Sequence, residues 1–175
     1  MTFRVLILGA SGTGTTTLGR ALGKDLSFRV FDTDDYYWLP STRPFQHKQD
    51  PELRLAKLLE DLKVTSYAII SGSILNWGLE LENSLSLIVF LTVPTAVRIT
   101  RLETREMKLY GRVDPEFLAW AAQYDEGKMS GRSREKHEQW LSQRRCPVLR
   151  IDGDTSTVDR VGRVRAAIAL LRTSH

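Results

Sequence analysis

Hydrophobic positions along this 175-residue chain fall into short continuous runs, which alternate with longer segments where they recur every three or four residues. The continuous runs predict buried strands, and the periodic segments predict amphipathic helices. Regular alternation of the two is typical of an α/β protein with a parallel sheet covered by helices on both faces. The predicted strands are Phe3–Leu8, Phe28–Phe31, Tyr67–Ile70, Leu85–Leu91 and Pro147–Ile151.

The predicted helices carry sequence signals at their ends. Asp50 can cap a helix that has Pro51 at its first position, and the leucines that follow have helical spacing. Ser156, with Asp159 three residues later, resembles a capping box for the last helix. That helix is expected to bury Val158, Val161, Ile168 and Leu171. The other predicted helices are Thr16–Lys24, a segment from Pro94 to near Gly111, one from Asp114 to near Gly127, and one capped by Ser133.

Length and composition favour one soluble domain that spans residues 1–175. Hydrophobic residues make up 42% and charged residues 26%, which is ordinary for a globular protein. No apolar run approaches the roughly 18–20 residues of a membrane span, and Val5–Leu8 is too short for a signal peptide. The single cysteine, Cys146, excludes an intramolecular disulfide. We therefore expect a cytoplasmic protein with no membrane partner.

The net charge of +4 suits an anionic partner, although a modest positive excess also serves solubility alone. Nucleotide phosphates and nucleic acids are both candidate partners. Five or six consecutive basic residues, which are typical of a nucleic-acid-binding tail, do not occur, and we expect no nucleic-acid partner. His47, His137 and His175, together with Cys146, lack the spacing of a zinc site.

A glycine-rich segment connects the first predicted strand directly to the first predicted helix. It consists of Gly9, Ala10, Ser11, Gly12, Thr13, Gly14, Thr15, Thr16 and Thr17. Gly9 and Gly14 have the spacing of the Walker A pattern, G-x-x-x-x-G-K-[ST], and Thr16 occupies its hydroxyl position. Such a loop turns backbone N–H groups toward a phosphate, and the helix N-terminus adds positive potential. We therefore predict that Gly9–Thr17 binds phosphate and that Thr16 is a Mg²⁺ ligand.

Thr15 departs from the pattern, which has a lysine at this position. That lysine normally contacts the β- and γ-phosphates as a point charge. Its absence leaves open a second interpretation, in which the loop is glycine-rich only because it packs tightly. A dinucleotide-binding turn is a weaker alternative, because Gly9, Gly12 and Gly14 do not fit G-x-G-x-x-G.

An acidic cluster of Asp32, Asp34 and Asp35 follows the second predicted strand. The carboxyl ends of parallel strands face the ligand crevice of such a sheet. Carboxylates there can hold Mg²⁺, or orient and deprotonate an acceptor hydroxyl. A solvated turn capped by aspartate is the alternative. The end of the third strand, Ser71–Ser73, offers no carboxylate of the Walker B type.

These features together resemble the nucleoside monophosphate kinase group, which includes adenylate, cytidylate and shikimate kinases. The resemblance covers nearly the whole chain, and its most specific part is the Gly9–Thr17 loop. It implies a three-layer P-loop NTPase fold with a five-stranded parallel sheet. It also implies an acceptor-side flap at about residues 36–65 and a lid at about residues 105–134.

The resemblance further implies roles for individual residues. The Asp-x-Asp of shikimate-type kinases would place Asp32 near the metal and Asp34 near the acceptor. The loop after the fifth strand passes the nucleotide base in the family, which implies a nucleotide contact for Gly153. Lid arginines of these enzymes clamp the transferring phosphoryl group, and the corresponding residues are Arg101, Arg105, Arg132 and Arg134. For Arg98, on the same predicted helix face, we favour a solvated position balanced by neighbouring glutamates.

The predicted function is that of an ATP- and Mg²⁺-dependent kinase acting on a small-molecule acceptor. A nucleoside monophosphate is the first acceptor hypothesis, and a small hydroxylated metabolite is the second. The alternative function, motivated by Thr15, is a nucleotide-binding module with little or no turnover. We expect the protein to be a monomer or a homodimer.

Overall fold

The protein forms a five-stranded sheet in which every neighbouring pair of strands is parallel. A computed structural model describes residues 2–41, 45–127 and 131–173 of the chain. The order across the sheet is β2-β3-β1-β4-β5. The strands are β1 (Phe3–Gly9), β2 (Arg29–Asp32), β3 (Tyr67–Ser71), β4 (Leu87–Thr92) and β5 (Val148–Asp152). The predicted fold class is therefore confirmed, with strand boundaries that shift by one or two residues.

The helices follow the predicted order, and several begin at the predicted capping residues. Asp50 Oδ1 accepts hydrogen bonds from two backbone N–H groups of its helix, and Ser133 Oγ accepts one from Lys136 N. The pattern did not predict α2 and α4, because helices of four or five residues carry no periodic signal. The helices are α1 (Thr15–Leu26), α2 (Asp34–Tyr37), α3 (Pro51–Lys63), α4 (Leu79–Asn83), α5 (Thr95–Tyr110), α6 (Pro115–Ala122), α7 (Arg134–Ser142) and α8 (Thr157–Thr173), and a 3₁₀ turn spans Gln123–Glu126.

The core consists of two apolar clusters, one on each face of the sheet. Successive side chains of a strand point to opposite faces, so Val5 and Ile7 join one cluster while Leu6 and Leu8 join the other. The face of Val5 is covered by α1 and α8. The face of Leu6 is covered by α3 and α7. This three-layer packing fixes the carboxyl ends of all five strands along one edge.

One predicted core position in α8 is wrong. Val158 is 81% exposed, whereas Val164 and Ile168 are buried. In the first turn of this helix the inward position belongs to Arg160, which is only 4% exposed. The apolar contacts of α8 therefore begin at Val161, one turn later than predicted.

Two predicted segments extend beyond the described residues. The flap at about 36–65 includes residues 42–44, and the lid at about 105–134 includes residues 128–130. His175, which entered the zinc-spacing argument, also lies outside them. Across the described part of the chain, none of the helices combines the length and the apolar character that a membrane crossing requires.

Candidate active site

The glycine-rich loop between β1 and α1 is a compact turn that depends on two glycines. Gly12 and Gly14 have φ angles of 84° and 94°, which side chains rarely permit. A Cβ on Gly12 would also come within 2.7 Å of the Arg98 carbonyl oxygen. Thr13 is buried, and both its backbone N–H and its hydroxyl donate to the Ala10 carbonyl. The loop therefore adopts one tightly determined shape.

The start of α1 suits a bound anion. Its capping residue is Gly14, which provides no side-chain acceptor for the first N–H groups of the helix. Such groups carry partial positive charge and are a common binding site for phosphate. The loop and helix terminus thus have the chemistry that the Walker A pattern predicts, apart from the side chain of Thr15.

Three consecutive carbonyl groups of the loop are each tied to a different arginine. The carbonyl oxygens belong to Ser11, Gly12 and Thr13. The donors are Arg98 at 3.3 Å, Arg101 at 3.3 Å and Arg160 at 2.7 Å, respectively. Guanidinium groups from α5 and α8 therefore surround the loop and hold its backbone in place.

A hydroxyl and a carboxylate meet beside the loop. Thr16 Oγ1 donates to Asp32 Oδ2 at 2.9 Å, and Asp32 Oδ1 accepts from Asp34 N at 3.1 Å. Oxygen donors of this kind suit Mg²⁺, which binds one or two protein groups and completes its shell with phosphates and water. No cluster of three or more histidine, cysteine or acidic side chains suited to a metal occurs in residues 2–41, 45–127 and 131–173. Thr16 and Asp32 therefore fit a magnesium ion held jointly with a nucleotide.

A cavity of about 550 Å³ opens beyond the ends of β2 and β3. Asp34 lies in its wall together with three cationic side chains, Arg54, Arg132 and Lys136. The remaining lining residues are Thr33, Tyr37, Ser73, Leu75, Asn76, Trp77, Gly131, Gln139, Trp140 and Gln143. The cavity therefore combines one carboxylate with an excess of positive charge.

The surroundings of Asp34 alter its acidity. Its side chain is exposed to solvent, but the cavity walls displace much of the water around it and raise its pKa. The Arg132 guanidinium lowers that pKa, and the Asp32 carboxylate raises it again. The net result is a carboxyl group whose pKa lies above its ordinary value, which brings it closer to the range of a general base.

Two aromatic rings, those of Tyr37 and Trp77, also line this cavity. The Arg54 guanidinium lies 4.7 Å from the centre of the Tyr37 ring and 4.8 Å from that of Trp77. The two rings are stacked with their centres 6.3 Å apart. Arg54 Nε is buried and has no hydrogen-bond partner in the described part of the chain. The arginine is thus held by ring contacts, which leaves its guanidinium without a carboxylate partner among these residues.

A second cavity, of about 240 Å³, borders the glycine-rich loop at Ala10 and Thr13. Gly153 lies in its wall, where its N–H donates to the Thr92 carbonyl at 2.8 Å. Arg134 also lines this cavity, 3.7 Å from Asp125. Gly153 and Arg134 therefore border a smaller cavity that is distinct from the cavity containing Asp34.

Comparison with known proteins identifies the family and the fold of this chain. The family described as AAA domain matches residues 5–118, which include the glycine-rich loop and the acidic cluster. The chain belongs to this AAA domain family. It is also similar to the uncharacterized protein YqaC of Bacillus subtilis (strain 168), with 44% identity over 170 residues that cover 90% of this chain and 93% of YqaC.

Solved structures of kinases share the fold of this AAA domain protein. A gluconokinase from Sinorhizobium meliloti 1021 has a TM-score of 0.59 at 17% identity and covers 99% of this chain and 98% of its own. Shikimate kinase from Aquifex aeolicus vf5 has a TM-score of 0.59 at 18% identity, with 99% and 100% covered. Deoxyadenosine kinase from M. mycoides with bound dATP has a TM-score of 0.58 at 15% identity, with 95% and 99% covered. The three-layer P-loop kinase fold is thereby confirmed.

The structure of this AAA domain protein places the four predicted lid arginines in different surroundings. Arg101 forms an ion pair with Asp154 beside the glycine-rich loop. Arg105 is exposed on α5, although its charge still acts to lower the pKa of Asp34. Arg132 lines the larger cavity and Arg134 the smaller one. Of these four arginines, Arg132 alone lines the larger cavity, and the phosphoryl-clamp role of all four stays a prediction.

The expectation that Arg98 is solvated is wrong, because this side chain is 1% exposed. Besides Ser11, it donates to the backbone of Val93 and Ala121 and forms an ion pair with Asp125 at 3.0 Å. The reason is topological: α5 begins three residues after β4, so its first turn packs directly behind the loop. Burial thus turns a helix-surface arginine into a support for the loop.

Sequence reasoning also missed a buried histidine between the two cavities. His137 Nδ1 lies 2.7 Å from the Tyr124 hydroxyl, and Nε2 lies 3.3 Å from Ser73 Oγ. Ser73 lines the larger cavity and Tyr124 the smaller one. Burial lowers the pKa of His137 to about 3, with a further contribution from Arg132, so the ring is neutral at pH 7. No local motif marks this residue, because its partners come from distant segments.

Proposed function

We propose that this protein is an ATP- and Mg²⁺-dependent kinase whose acceptor is a small molecule with a hydroxyl and an anionic group. The observation that carries the proposal is the meeting of three features at one sheet edge. They are the phosphate loop Gly9–Thr17, the Thr16–Asp32 oxygen pair and a basic cavity that contains Asp34.

On the nucleotide side, Gly9–Thr17 would hold the phosphates of ATP, and Thr16 and Asp32 would hold Mg²⁺. A bound magnesium ion supplies positive charge that offsets the charge of the transferring phosphoryl group. The smaller cavity, with Gly153 and Arg134 in its wall, is the proposed position of the remainder of the nucleotide.

On the acceptor side, Asp34 is the proposed general base. Its carboxylate would accept the proton of the acceptor hydroxyl while the hydroxyl oxygen bonds to the γ-phosphorus and ADP leaves. A raised pKa suits this role, because a stronger base accepts a proton more readily. Arg132, which lines the same cavity, is placed to balance negative charge there.

The acceptor class follows from the charges and rings of the larger cavity. Arg54, Arg132 and Lys136 favour an acceptor that carries phosphate or carboxylate. The stacked rings of Tyr37 and Trp77 favour a flat or apolar part beside it. A nucleoside monophosphate has the anionic group and the flat base, and a hydroxylated carboxylic acid has the anionic group and the hydroxyl. Asp34 acts as a base where a hydroxyl accepts the phosphoryl group, because an ionised phosphate oxygen has no proton to lose.

A nucleotide-binding module without turnover is the second candidate, and the observation that favours it is Thr15 at the lysine position. In that case the cavity of Asp34 would bind a regulatory ligand or a partner group instead of an acceptor. Turnover that appears only in Thr15→Lys would favour this candidate over the kinase.

The deciding experiment is a phosphoryl-transfer screen with ATP and Mg²⁺ against nucleoside monophosphates and hydroxylated carboxylic acids. Phosphorus NMR identifies the phosphorylated product, and Asp34→Asn is the matched inactive control. A product formed by the natural protein and lost in Asp34→Asn supports the proposal. Failure of all acceptors, with ATP still bound, would favour the module.

A further inference from the structure

Arg160 is held against the glycine-rich loop by three hydrogen bonds. Its Nη1 donates to the Thr13 carbonyl at 2.7 Å, and its Nη2 donates to the Gly153 carbonyl at 3.1 Å. Its Nε donates to Thr155 Oγ1 at 3.0 Å. The guanidinium is therefore held at Thr13, which lies two residues before Thr15 in the loop.

The three arginines around the loop differ in their counter-ions. Arg98 pairs with Asp125, and Arg101 pairs with Asp154. Arg160 forms no ion pair within residues 2–41, 45–127 and 131–173, and the acceptors of its hydrogen bonds are neutral oxygens. Burying a cation without a counter-ion is costly unless an anion completes the site.

The lowered pKa of Arg160 agrees with its lack of a paired carboxylate among the described residues. Burial lowers its pKa, and the Arg101 guanidinium lowers it further, while Asp154 acts in the opposite direction. Two cations thus repel each other at the loop, and the nearby Asp154 carboxylate is paired with one of them, Arg101. A polyphosphate on the loop would relieve that repulsion, whereas a neutral ligand would not.

The conformation of Gly14 shows how close this cation comes to the position of the missing lysine. A Cβ on Gly14 would lie 3.3 Å from Arg160 Nη1, and within the described residues Arg160 is the one neighbour outside the adjoining backbone that it would meet within 4 Å. Gly14 directly precedes Thr15, and it caps the helix whose N-terminus faces the predicted phosphate site. The guanidinium therefore borders the loop at the residue just before the position of the Walker A lysine.

We propose that Arg160 supplies, through the backbone of the phosphate loop, the positive charge that a lysine supplies in the Walker A pattern. Arg160 lies on α8, the last helix, and acts as a positioning residue because it contacts the loop backbone. Its charge would make the site distinguish nucleotides by their number of phosphates. This inference rests on the proposed binding of nucleotide phosphates by Gly9–Thr17.

The experiment is a calorimetric titration of the purified protein with ATP, ADP and adenosine in the presence of Mg²⁺. Arg160→Gln should weaken ATP binding on the order of 10- to 100-fold, ADP binding less, and adenosine binding hardly at all. Arg160→Lys keeps the charge and should retain most of the ATP affinity. The matched control is Arg163→Gln, which removes the same charge from an exposed position on α8 and should change none of the three affinities.

A rescue experiment separates charge from mere support of the loop. Adding Thr15→Lys to Arg160→Gln should restore ATP affinity, because the charge returns by a different route. Equal loss of ATP and adenosine affinity in Arg160→Gln, with no rescue by Thr15→Lys, would overturn the proposal.

Circular dichroism checks that Arg160→Gln folds. A second measurement does not require this variant. In the otherwise natural protein, Thr15→Lys should raise ATP affinity by less than about threefold, since Arg160 already provides the charge. A gain of about tenfold or more would show that the loop lacks that charge, and would overturn the inference.

If the natural protein binds neither ATP nor ADP, the proposed function itself fails. If it binds ATP and Arg160→Gln binds ATP equally well, the inference alone fails.

Discussion

The Thr16 hydroxyl donates a 2.9 Å hydrogen bond to Asp32 Oδ2, which joins the first turn of α1 to the carboxyl end of β2. Both groups offer oxygen atoms to one point beside the phosphate loop. Because Mg²⁺ prefers oxygen ligands, Thr16 and Asp32 are the residues that would hold it.

Thr16→Ala and Asp32→Asn should therefore each weaken the magnesium dependence of ATP binding. Titration of ATP with and without Mg²⁺ measures the difference, which should shrink toward zero in both variants. Thr173→Ala is a suitable control, because it removes an exposed hydroxyl at the far end of α8. A full magnesium effect in Thr16→Ala would contradict the assigned metal position.

Asp34→Asn should lower turnover by about 10²- to 10⁴-fold once an acceptor is known, since a carboxamide cannot accept the hydroxyl proton. The neighbouring Asp35→Asn makes the same charge change and should have little effect. In the natural protein, turnover should fall as the pH drops through the pKa of Asp34, because its basic form is then lost. That pKa is raised above 3.8, so the decline should begin at a higher pH than for an ordinary aspartate. A pH–rate profile without such an acid limb would argue against Asp34 as the base.

Arg132 and Arg134 lie only two positions apart in the chain, but they line different cavities. Arg132→Gln should raise the KM of the acceptor by roughly 10- to 100-fold, because a charge-assisted contact to its anionic group is lost. Arg134→Gln should leave the acceptor KM close to its natural value and act on the KM of ATP. Steady-state kinetics with each substrate varied in turn distinguishes the two. Identical effects of both variants would contradict the separation of the cavities.

Arg98→Met should destabilise the protein by about 3 kcal/mol, because it removes a buried cation and leaves several acceptors of its hydrogen bonds unpaired. The comparison is Arg165→Met, which breaks an exposed ion pair with Asp25 and should cost less than about 1 kcal/mol. Urea unfolding at pH 7 measures both free energies. Equal stability of the two variants would show that Arg98 is not a support of the fold.

The buried His137 predicts a pH-dependent stability. Its pKa is about 3 in the folded protein and near 6.5 when unfolded, so the unfolded chain binds more protons between these values. The free energy of unfolding should therefore fall as the pH decreases from about 6.5 toward 3, with a contribution of up to about 1.4 kcal/mol per pH unit. His137→Gln keeps hydrogen-bonding groups and should remove this contribution, whereas His47→Gln, at an exposed position, should not. Urea unfolding at pH 7 and pH 5 tests the difference, and parallel losses in all three proteins would contradict it.

Several parts of this protein follow from short stretches of sequence. The strands, the cap at Asp50 and the Gly9–Thr17 loop each depend on residues that are close together in the sequence. Their signals are local because hydrogen bonds of caps and turns link near neighbours, and because burial of a central strand produces a continuous apolar run. The parallel sheet also follows, since alternating strands and helices leave few other arrangements.

Only the tertiary structure determined which cationic side chains contact the loop. Arg98 was predicted on a solvated face and is buried, because the packing of α5 behind the loop is invisible to the spacing of its arginines. Arg160 meets Thr13 across 147 positions of sequence, and Ser73 meets His137 across 64. Sequence spacing carries no information about such pairs, since their distance is set by how helices pack on the two faces of the sheet. The phosphate loop could thus be located from its own residues, whereas the cation beside it came from the opposite end of the chain.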